Sequence, residues 1–214
     1  MSDQSQDPPK TDPSRTPGQG LTKEQALLRL LEGHWRYLGN EKTARVLSEM
    51  DRNLHAQGQY PFAAILGCAD SRVSPELIFD QGQGDLFVVR VAGNIVGTGT
   101  LASVEYAVEH LGVRLVMVLG HEKCGAVNAA TESSDAHGPI GFLLREITPA
   151  VEEARTLPGS LLDNAVSVNV RRSAQLLVTR SESIARRVNC GELRIVGAVY
   201  HLSTGDVAIH HTVG

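Results

Sequence analysis

Four short apolar segments recur along this chain, and they alternate with stretches of helical periodicity. The segments cover residues 62–68, 86–92, 115–120 and 193–200. A strand that is apolar on both faces must be covered on both, as in a parallel sheet with helices on either side. The turn residues that follow the fourth segment lead into a last strand at 207–211, which predicts a hairpin. We therefore predict an α/β fold with a mainly parallel sheet, flanking helices and an antiparallel edge strand.

Helical periodicity marks a further set of segments: residues 22–38, 101–111, 124–132, 139–157 and 161–188. In the first of them, Thr22 and Gln25 form a capping-box pattern, which fixes the start of the helix. The apolar stripe that follows is wide. This helix must therefore pack against the body of the domain or against a partner subunit.

The N-terminus and the composition exclude several classes of protein. Residues 1–20 contain Met1 as their only apolar side chain, so we predict a disordered tail there and one domain over residues 21–214. A net charge of -4 argues against nucleic-acid binding, and no apolar run reaches the roughly 18 residues of a membrane span. The absence of a signal-peptide pattern and an odd number of cysteines predict a cytoplasmic protein with reduced thiols.

Two polar motifs follow predicted strands at the point where each apolar run stops. They are GCADSR at residues 67–72 and GHEKCG at residues 120–125. Because the carboxyl ends of parallel strands lie at one edge of a sheet, neighbouring strands would bring Cys68, His121 and Cys124 together.

Two thiolates and one imidazole suit zinc, and three protein ligands with an open fourth position are typical of a catalytic zinc site. Neither motif supplies an obvious fourth cysteine or histidine. We expect Cys190, just before the last hairpin, to be a buried or spectator thiol.

Asp70 and Arg72, within the first motif, carry charges that can pair through two hydrogen bonds. Taken singly, a surface salt bridge contributes little, and a histidine and a cysteine three residues apart occur often by chance. The combination of these features at two strand ends favours a metal site.

The two motifs, extended to CADSRV (68–73) and HEKCGAV (121–127), resemble those of the β-class carbonic anhydrases. Residues 79–94 and 103–113, which lie between them, resemble the same family. The similarity covers about residues 22–214 and leaves out only the tail.

The resemblance implies one Zn²⁺ per subunit, bound by Cys68, His121 and Cys124, with water or hydroxide in the fourth position. It implies reversible hydration of CO₂ to bicarbonate and a proton, by attack of zinc-bound hydroxide. In this scheme Asp70 orients the hydroxide, and Arg72 holds Asp70 in place and keeps it ionised.

The resemblance also implies residues around the substrate. In this scheme Gln59 donates a hydrogen bond to the substrate, and Phe87 and Ala92 form apolar walls of the pocket. Tyr106 reaches the neighbouring subunit's site, and the Gly125 amide binds the product anion. It implies in addition that His110 is a proton shuttle, a common role of histidine. From the residues alone, Gln59 is an ordinary loop glutamine that nothing singles out, whereas His110 is equally well a half-exposed helix histidine.

The family further implies a homodimer or homotetramer with the site at the subunit interface and a protruding N-terminal helix that crosses onto a partner. We therefore predict that an isolated monomer is inactive. Some members have an inactive state in which the aspartate binds zinc, and these have tryptophan where this chain has Ile65. Arg90 matches the arginine of the same side pocket. Because of Ile65, we predict that Asp70 stays off zinc at neutral to alkaline pH.

Two alternatives to CO₂ hydration stay open. A hydrolase of CS₂ or COS would use the same scaffold and similar chemistry. A non-catalytic scaffold stabilised by zinc would keep the ligands but would have no use for the pair formed by Asp70 and Arg72.

Overall fold

The computed structural model describes residues 20–43, 47–132 and 137–214. Apart from Gly20, the disordered tail predicted for residues 1–20 lies outside these ranges. The described residues form a five-stranded sheet in the order β2-β1-β3-β4-β5. The strands are β1 (Ala63–Gly67), β2 (Leu86–Arg90), β3 (Leu115–His121), β4 (Arg194–Tyr200) and β5 (Val207–Val213).

The pairing of these strands confirms the predicted fold class. β1 pairs in parallel with β2 and with β3, and β3 pairs in parallel with β4. β5 is antiparallel to β4 and forms the edge of the sheet, as the turn after β4 predicts.

The helices are α1 (Lys23–Leu38), α2 (Glu49–His55), α3 (Pro75–Ile78), α4 (Thr98–Glu109), α5 (Gly125–Glu132), α6 (Gly138–Ala154), α7 (Leu161–Arg180) and α8 (Glu182–Asn189). A short 3₁₀ turn, Ala92–Asn94, connects β2 to α4. The single helix predicted for residues 161–188 is wrong, because the chain becomes extended at Ser181. The Ser181 side chain accepts a hydrogen bond from the amide of Ile184 and so begins a new helix.

Two apolar layers cover the two faces of the sheet, as expected for strands that are apolar throughout. Within β1, Ala64 and Leu66 pack into one layer, and Ala63 and Ile65 pack into the other. Helices α4 to α8 contribute to the first layer, whereas α1 and α3 contribute to the second. The carboxyl ends of the central strands are therefore held rigidly between helices.

Helix α1 begins as the sequence predicts, with a capping box between Thr22 and Gln25. It buries Ala26 and Leu30 against the body of the chain. On its other face Leu28 is 50% exposed and Trp35 is 59% exposed. The wide apolar stripe is thus covered by the body along one side only.

Gly33, on the buried side of α1, allows this helix to approach the chain after α3. A methyl group at Gly33 would lie 1.8 Å from the carbonyl oxygen of Phe79, whereas one at Gly99 in α4 would meet nothing within 4 Å. We expect Gly33→Ala to lower the free energy of unfolding by about 3 kcal/mol. Gly99→Ala should raise it by up to about 1 kcal/mol. Urea unfolding of both variants measures the difference, and equal effects would contradict the close packing at Gly33.

Asp80 links the turn after α3 to α1. Its carboxylate accepts hydrogen bonds from Arg36 Nε at 2.6 Å and from the Thr43 amide at 3.2 Å. Burial acts to raise the pKa of Asp80, but the bonds from Arg36 and Thr43 outweigh it, so this pKa lies below its usual value. A carboxyl of this kind stabilises the fold above its unfolded pKa, and the contribution is lost as the pH falls through the folded value.

We therefore expect the free energy of unfolding to decrease as the pH falls below about 4, partly through Asp80. Asp80→Asn should lower the stability at neutral pH and should make the acid decrease smaller. The control is Glu49→Gln, at an exposed position, which should leave the pH dependence as it is. Urea unfolding at a series of pH values tests this, and identical slopes for Asp80→Asn and the wild type would argue against it.

Candidate active site

Cys68, His121 and Cys124 come together at the carboxyl ends of two neighbouring strands. Cys68 directly follows β1, His121 is the last residue of β3, and Cys124 directly precedes α5. All three side chains are buried, and their ligand atoms lie within 4.8 Å of one another. The two sulfur atoms are 3.9 Å apart. The convergence expected from the strand ends is therefore present.

The turn between His121 and Cys124 is fixed by the β4–β5 hairpin. The Glu122 amide donates to the carbonyl of Tyr200, and the Glu122 carboxylate accepts from both the amide and the hydroxyl of Ser203. Lys123 has a φ of 54°, in the left-handed region, which turns the chain sharply toward Cys124. The hairpin thus positions Cys124, a candidate metal ligand that lies about 80 residues earlier in the chain.

His121 is oriented for metal binding through Nε2. Its Nδ1 lies 2.9 Å from the carbonyl oxygen of Glu122, and because a carbonyl only accepts, Nδ1 must carry the proton. Among the described residues, Nε2 is buried and has no hydrogen-bond partner. A buried acceptor nitrogen of this kind fits a metal ligand whose other nitrogen is fixed by a backbone carbonyl.

The pKa values of the two thiols move in opposite directions. Hydrogen bonds from the neighbouring Cys124 thiol and from the Gly93 amide lower the pKa of Cys68. The adjacent Cys68 and burial together raise the pKa of Cys124. Both sulfurs can be ionised together only if a cation neutralises them, because two like charges at this distance disfavour each other.

The donor set fits zinc. Two sulfurs and one imidazole nitrogen are ligands that Zn²⁺ prefers, and within residues 20–43, 47–132 and 137–214 this cluster has three ligating residues. Three protein ligands leave one position of a tetrahedron for water or substrate. The three residues could therefore hold a metal ion with one position open.

Asp70 lies beside this cluster and is paired with Arg72. Arg72 donates from Nε to Asp70 Oδ1 at 2.9 Å and from Nη2 to Oδ2 at 2.7 Å, and its amide also donates to Oδ1. The hydrogen bonds from Arg72 hold the pKa of Asp70 well below its usual range. Asp70 Oδ2 is 3.7 Å from His121 Nε2, so an ionised carboxylate stands at the edge of the metal cluster.

Arg90 fixes the loop that contains Cys68 and Asp70. Its Nε donates to the carbonyl of Cys68 at 2.9 Å, and its Nη2 donates to the carbonyl of Asp70 at 2.5 Å. Ile65 is fully buried in the apolar layer that also contains residues of α1. The expectation that Asp70 stays off the metal at neutral to alkaline pH stays a prediction.

The remaining predicted residues are not members of the Cys68, His121 and Cys124 cluster. Phe87, Tyr106 and His110 form a row, in which the ring centroids of Phe87 and Tyr106 are 6.2 Å apart and those of Tyr106 and His110 are 5.0 Å apart. Ala92 begins the 3₁₀ turn. A side chain at Gly125 would meet nothing within 4 Å, so its backbone borders open space beside Cys124.

Three further placements differ from the sequence expectations or go beyond them. Gln59 is exposed in the loop before β1, outside the metal cluster of this subunit. Cys190 is exposed at the end of α8 and is not a member of the cluster, so of the two expected alternatives it is the spectator thiol rather than the buried one. Sequence reasoning missed Gly93, whose amide donates to Cys68 Sγ, and Asn169, whose side chain donates to the Gly93 carbonyl.

Comparison with known proteins decides the family. A family model described as carbonic anhydrase matches residues 63–207. Carbonic anhydrase 2 of Mycobacterium tuberculosis is 40% identical over 189 residues, which are 86% of this chain and 91% of that protein. A solved β-carbonic anhydrase from Coccomyxa, in complex with acetazolamide, matches with a TM-score of 0.69 and 28% identity over 75% of this chain and 77% of its own. The chain belongs to the β-carbonic anhydrase family.

Two further carbonic anhydrases are similar to this chain. The carbonic anhydrase of Pseudomonas aeruginosa is 36% identical over 193 residues, which are 83% of this chain and 84% of that protein. A β-carbonic anhydrase of Sordaria macrospora, described as tetrameric, shares the fold with a TM-score of 0.67 at 23% identity, over 88% and 98% of the two chains. Membership of the β-carbonic anhydrase family makes this chain an enzyme of the lyase class. In the part of the chain that the structure describes, no helix is both long and apolar enough to cross a bilayer.

Proposed function

We propose that this enzyme hydrates CO₂ reversibly to bicarbonate and a proton, with one Zn²⁺ per subunit held by Cys68, His121 and Cys124. The observation that supports this most is the juxtaposition of three buried ligands with an ionised carboxylate, that of Asp70. A structural zinc site would gain nothing from an aspartate held ionised by Arg72 at its edge.

Zinc bound to these ligands would act as a Lewis acid that lowers the pKa of a water ligand to about 7, so that a nucleophile exists at neutral pH. Because hydrogen bonds from Arg72 keep its pKa well below the usual range, Asp70 is ionised at that pH. It would accept a hydrogen bond from the nucleophile and orient it without taking its proton. Arg72 occupies one edge of both carboxylate oxygens and fixes the direction in which Asp70 can accept.

The substrate and the departing proton need further residues. We assign the apolar walls to Phe87 and Ala92, the donor for the product anion to the Gly125 amide and a substrate hydrogen bond to Gln59. We assign the relay of the proton to His110, which directly follows α4 and whose exposure gives its ring access to solvent. A tautomerising imidazole can pass a proton outward at neutral pH.

The proposed unit is a homodimer or a homotetramer. Gln59 and Tyr106 are both exposed in the single chain, which leaves them available to complete the site of a neighbouring subunit. We place the enzyme in the cytoplasm, because zinc binding needs Cys68 and Cys124 as reduced thiols and both are free.

The test is stopped-flow CO₂ hydration at about pH 8.5 by purified protein of measured zinc content. We expect fast turnover with one zinc per chain, lost on treatment with a chelator and restored by zinc. A fully zinc-loaded protein without CO₂ hydration would overturn the proposal. In that case, release of sulfide from CS₂ or COS would identify a hydrolase, and its absence would leave a scaffold stabilised by zinc.

A further inference from the structure

The 3₁₀ turn after β2 has an unusual backbone that directs a peptide N–H at Cys68. Gly93 and Asn94 have φ values of 70° and 42°, so two consecutive residues are left-handed. In this conformation the Gly93 amide donates to Cys68 Sγ at 3.3 Å. A hydrogen bond of this kind stabilises the thiolate, which is the form of cysteine that binds a metal.

A turn of this shape needs support from outside its own sequence. Glycine tolerates a positive φ, but it also has the greatest freedom to leave it, and asparagine adopts a positive φ only at some cost. Within the turn, the Asn94 amide donates to the carbonyl of Val91 at 3.0 Å. This bond holds the N–H side of the Gly93–Asn94 peptide unit, and the Gly93 carbonyl on the other side of the same unit needs a second partner.

Asn169 supplies that support from α7, 76 residues further along the chain. Its Nδ2 donates to the Gly93 carbonyl at 2.8 Å. The side chain is only 3% exposed, and Val166, Val168 and Val170 of the same helix are also buried. A primary amide in such apolar surroundings is unfavourable unless it is hydrogen-bonded, so the bond to Gly93 accounts for a polar residue at this place.

We propose that Asn169 is a positioning residue of the metal centre. It holds the Gly93 carbonyl and thereby keeps the Gly93 N–H directed at Cys68 Sγ. Without Asn169, the two peptide units that flank Gly93 change orientation. Cys68 Sγ then loses its hydrogen bond and becomes more electron-rich. The inference rests on the proposed zinc site, since Cys68 is a ligand only if zinc binds there.

The test compares two substitutions with a structural control. Asn169→Leu removes the amide at nearly constant volume, and Asn169→Asp replaces the donor by an acceptor. The control is Leu177→Ala, which creates a cavity eight residues further along the same helix at a fully buried position. Zinc affinity is measured by chelator competition, and the sulfur-to-metal charge-transfer band is recorded after substitution with Co²⁺.

We expect both Asn169 variants to bind zinc about 10-fold or more weakly than the wild type, in line with the effect of other residues that support metal ligands. The charge-transfer band should move to lower energy, because the sulfur is more electron-rich. Leu177→Ala should leave affinity and band as in the wild type despite its lower stability. Asn169 variants that match Leu177→Ala in both measurements would overturn the inference and leave Asn169 a structural residue.

One measurement needs no substitution, should the variants fail to fold. In the cadmium-loaded wild-type protein, the N–H···S bond gives a scalar coupling between the Gly93 amide proton and the metal. Its absence would contradict the inference. A wild type that binds no zinc would instead reject the proposed function, so the two failures are separate.

Discussion

Asp70→Ala should lower kcat/KM for CO₂ hydration by a factor of at least about 100 while the zinc content stays at one per chain. The carboxylate is not a member of the three-ligand cluster, so metal binding does not depend on it. Its loss removes the acceptor that orients the attacking water, and it leaves Arg72 unpaired at the edge of the site. Stopped-flow rates and metal analysis of the same sample measure both quantities.

The matched control is Asp163→Ala, which removes an exposed aspartate at the start of α7 and should leave kcat/KM unchanged. Arg72→Lys should have an intermediate effect, since lysine keeps the charge but cannot make both bonds to Asp70 at once. If Asp70→Ala retained wild-type kcat/KM, the pair of Asp70 and Arg72 would be structural and the proposed role of Asp70 would be wrong.

Cys124→Ser should abolish stoichiometric zinc binding, with a loss of zinc affinity well above about 100-fold and with CO₂ hydration reduced in proportion. A serine hydroxyl stays protonated at neutral pH and is a poor ligand for Zn²⁺, whereas a thiolate is among its best. The substitution changes a single buried atom, so the fold should persist with an impaired site.

Cys190→Ser makes the same chemical change at an exposed position and serves as the control. We expect it to keep one zinc per chain and full activity. Zinc analysis after gel filtration, together with stopped-flow rates, distinguishes the two variants. A Cys124→Ser protein that kept wild-type zinc and activity would show that the metal lies elsewhere.

The sheet could be predicted because four short apolar segments alternate with helical periodicity, and because the turn after the fourth segment predicts the edge strand. The break between α7 and α8 could not, because a single serine within a helical pattern is compatible with continuation as well as with a cap. Helix α2 has no buried residue, so it has no apolar periodicity from which to predict it. Capping geometry, rather than helix propensity, determines the break between α7 and α8 and the start of α2.

The convergence of the three candidate ligands could be predicted for a similar reason. Cys68, His121 and Cys124 lie next to the ends of strands, where topology alone determines that distant segments meet. Nothing local marks Asn169, because its role depends on the distance between α7 and a turn 76 residues away. Gln59 and Tyr106 came only from family resemblance, and their roles depend on a second subunit.

The separation of the two cysteines along the chain has a consequence for unfolding. Cys68 and Cys124 are 56 positions apart, so an ion bound to both closes a long loop in the way a disulfide would. The ion would thus be a removable cross-link between the segments that follow the neighbouring strands β1 and β3. The half-life of the native enzyme should then lengthen with the concentration of free zinc around it, whether or not substrate is present.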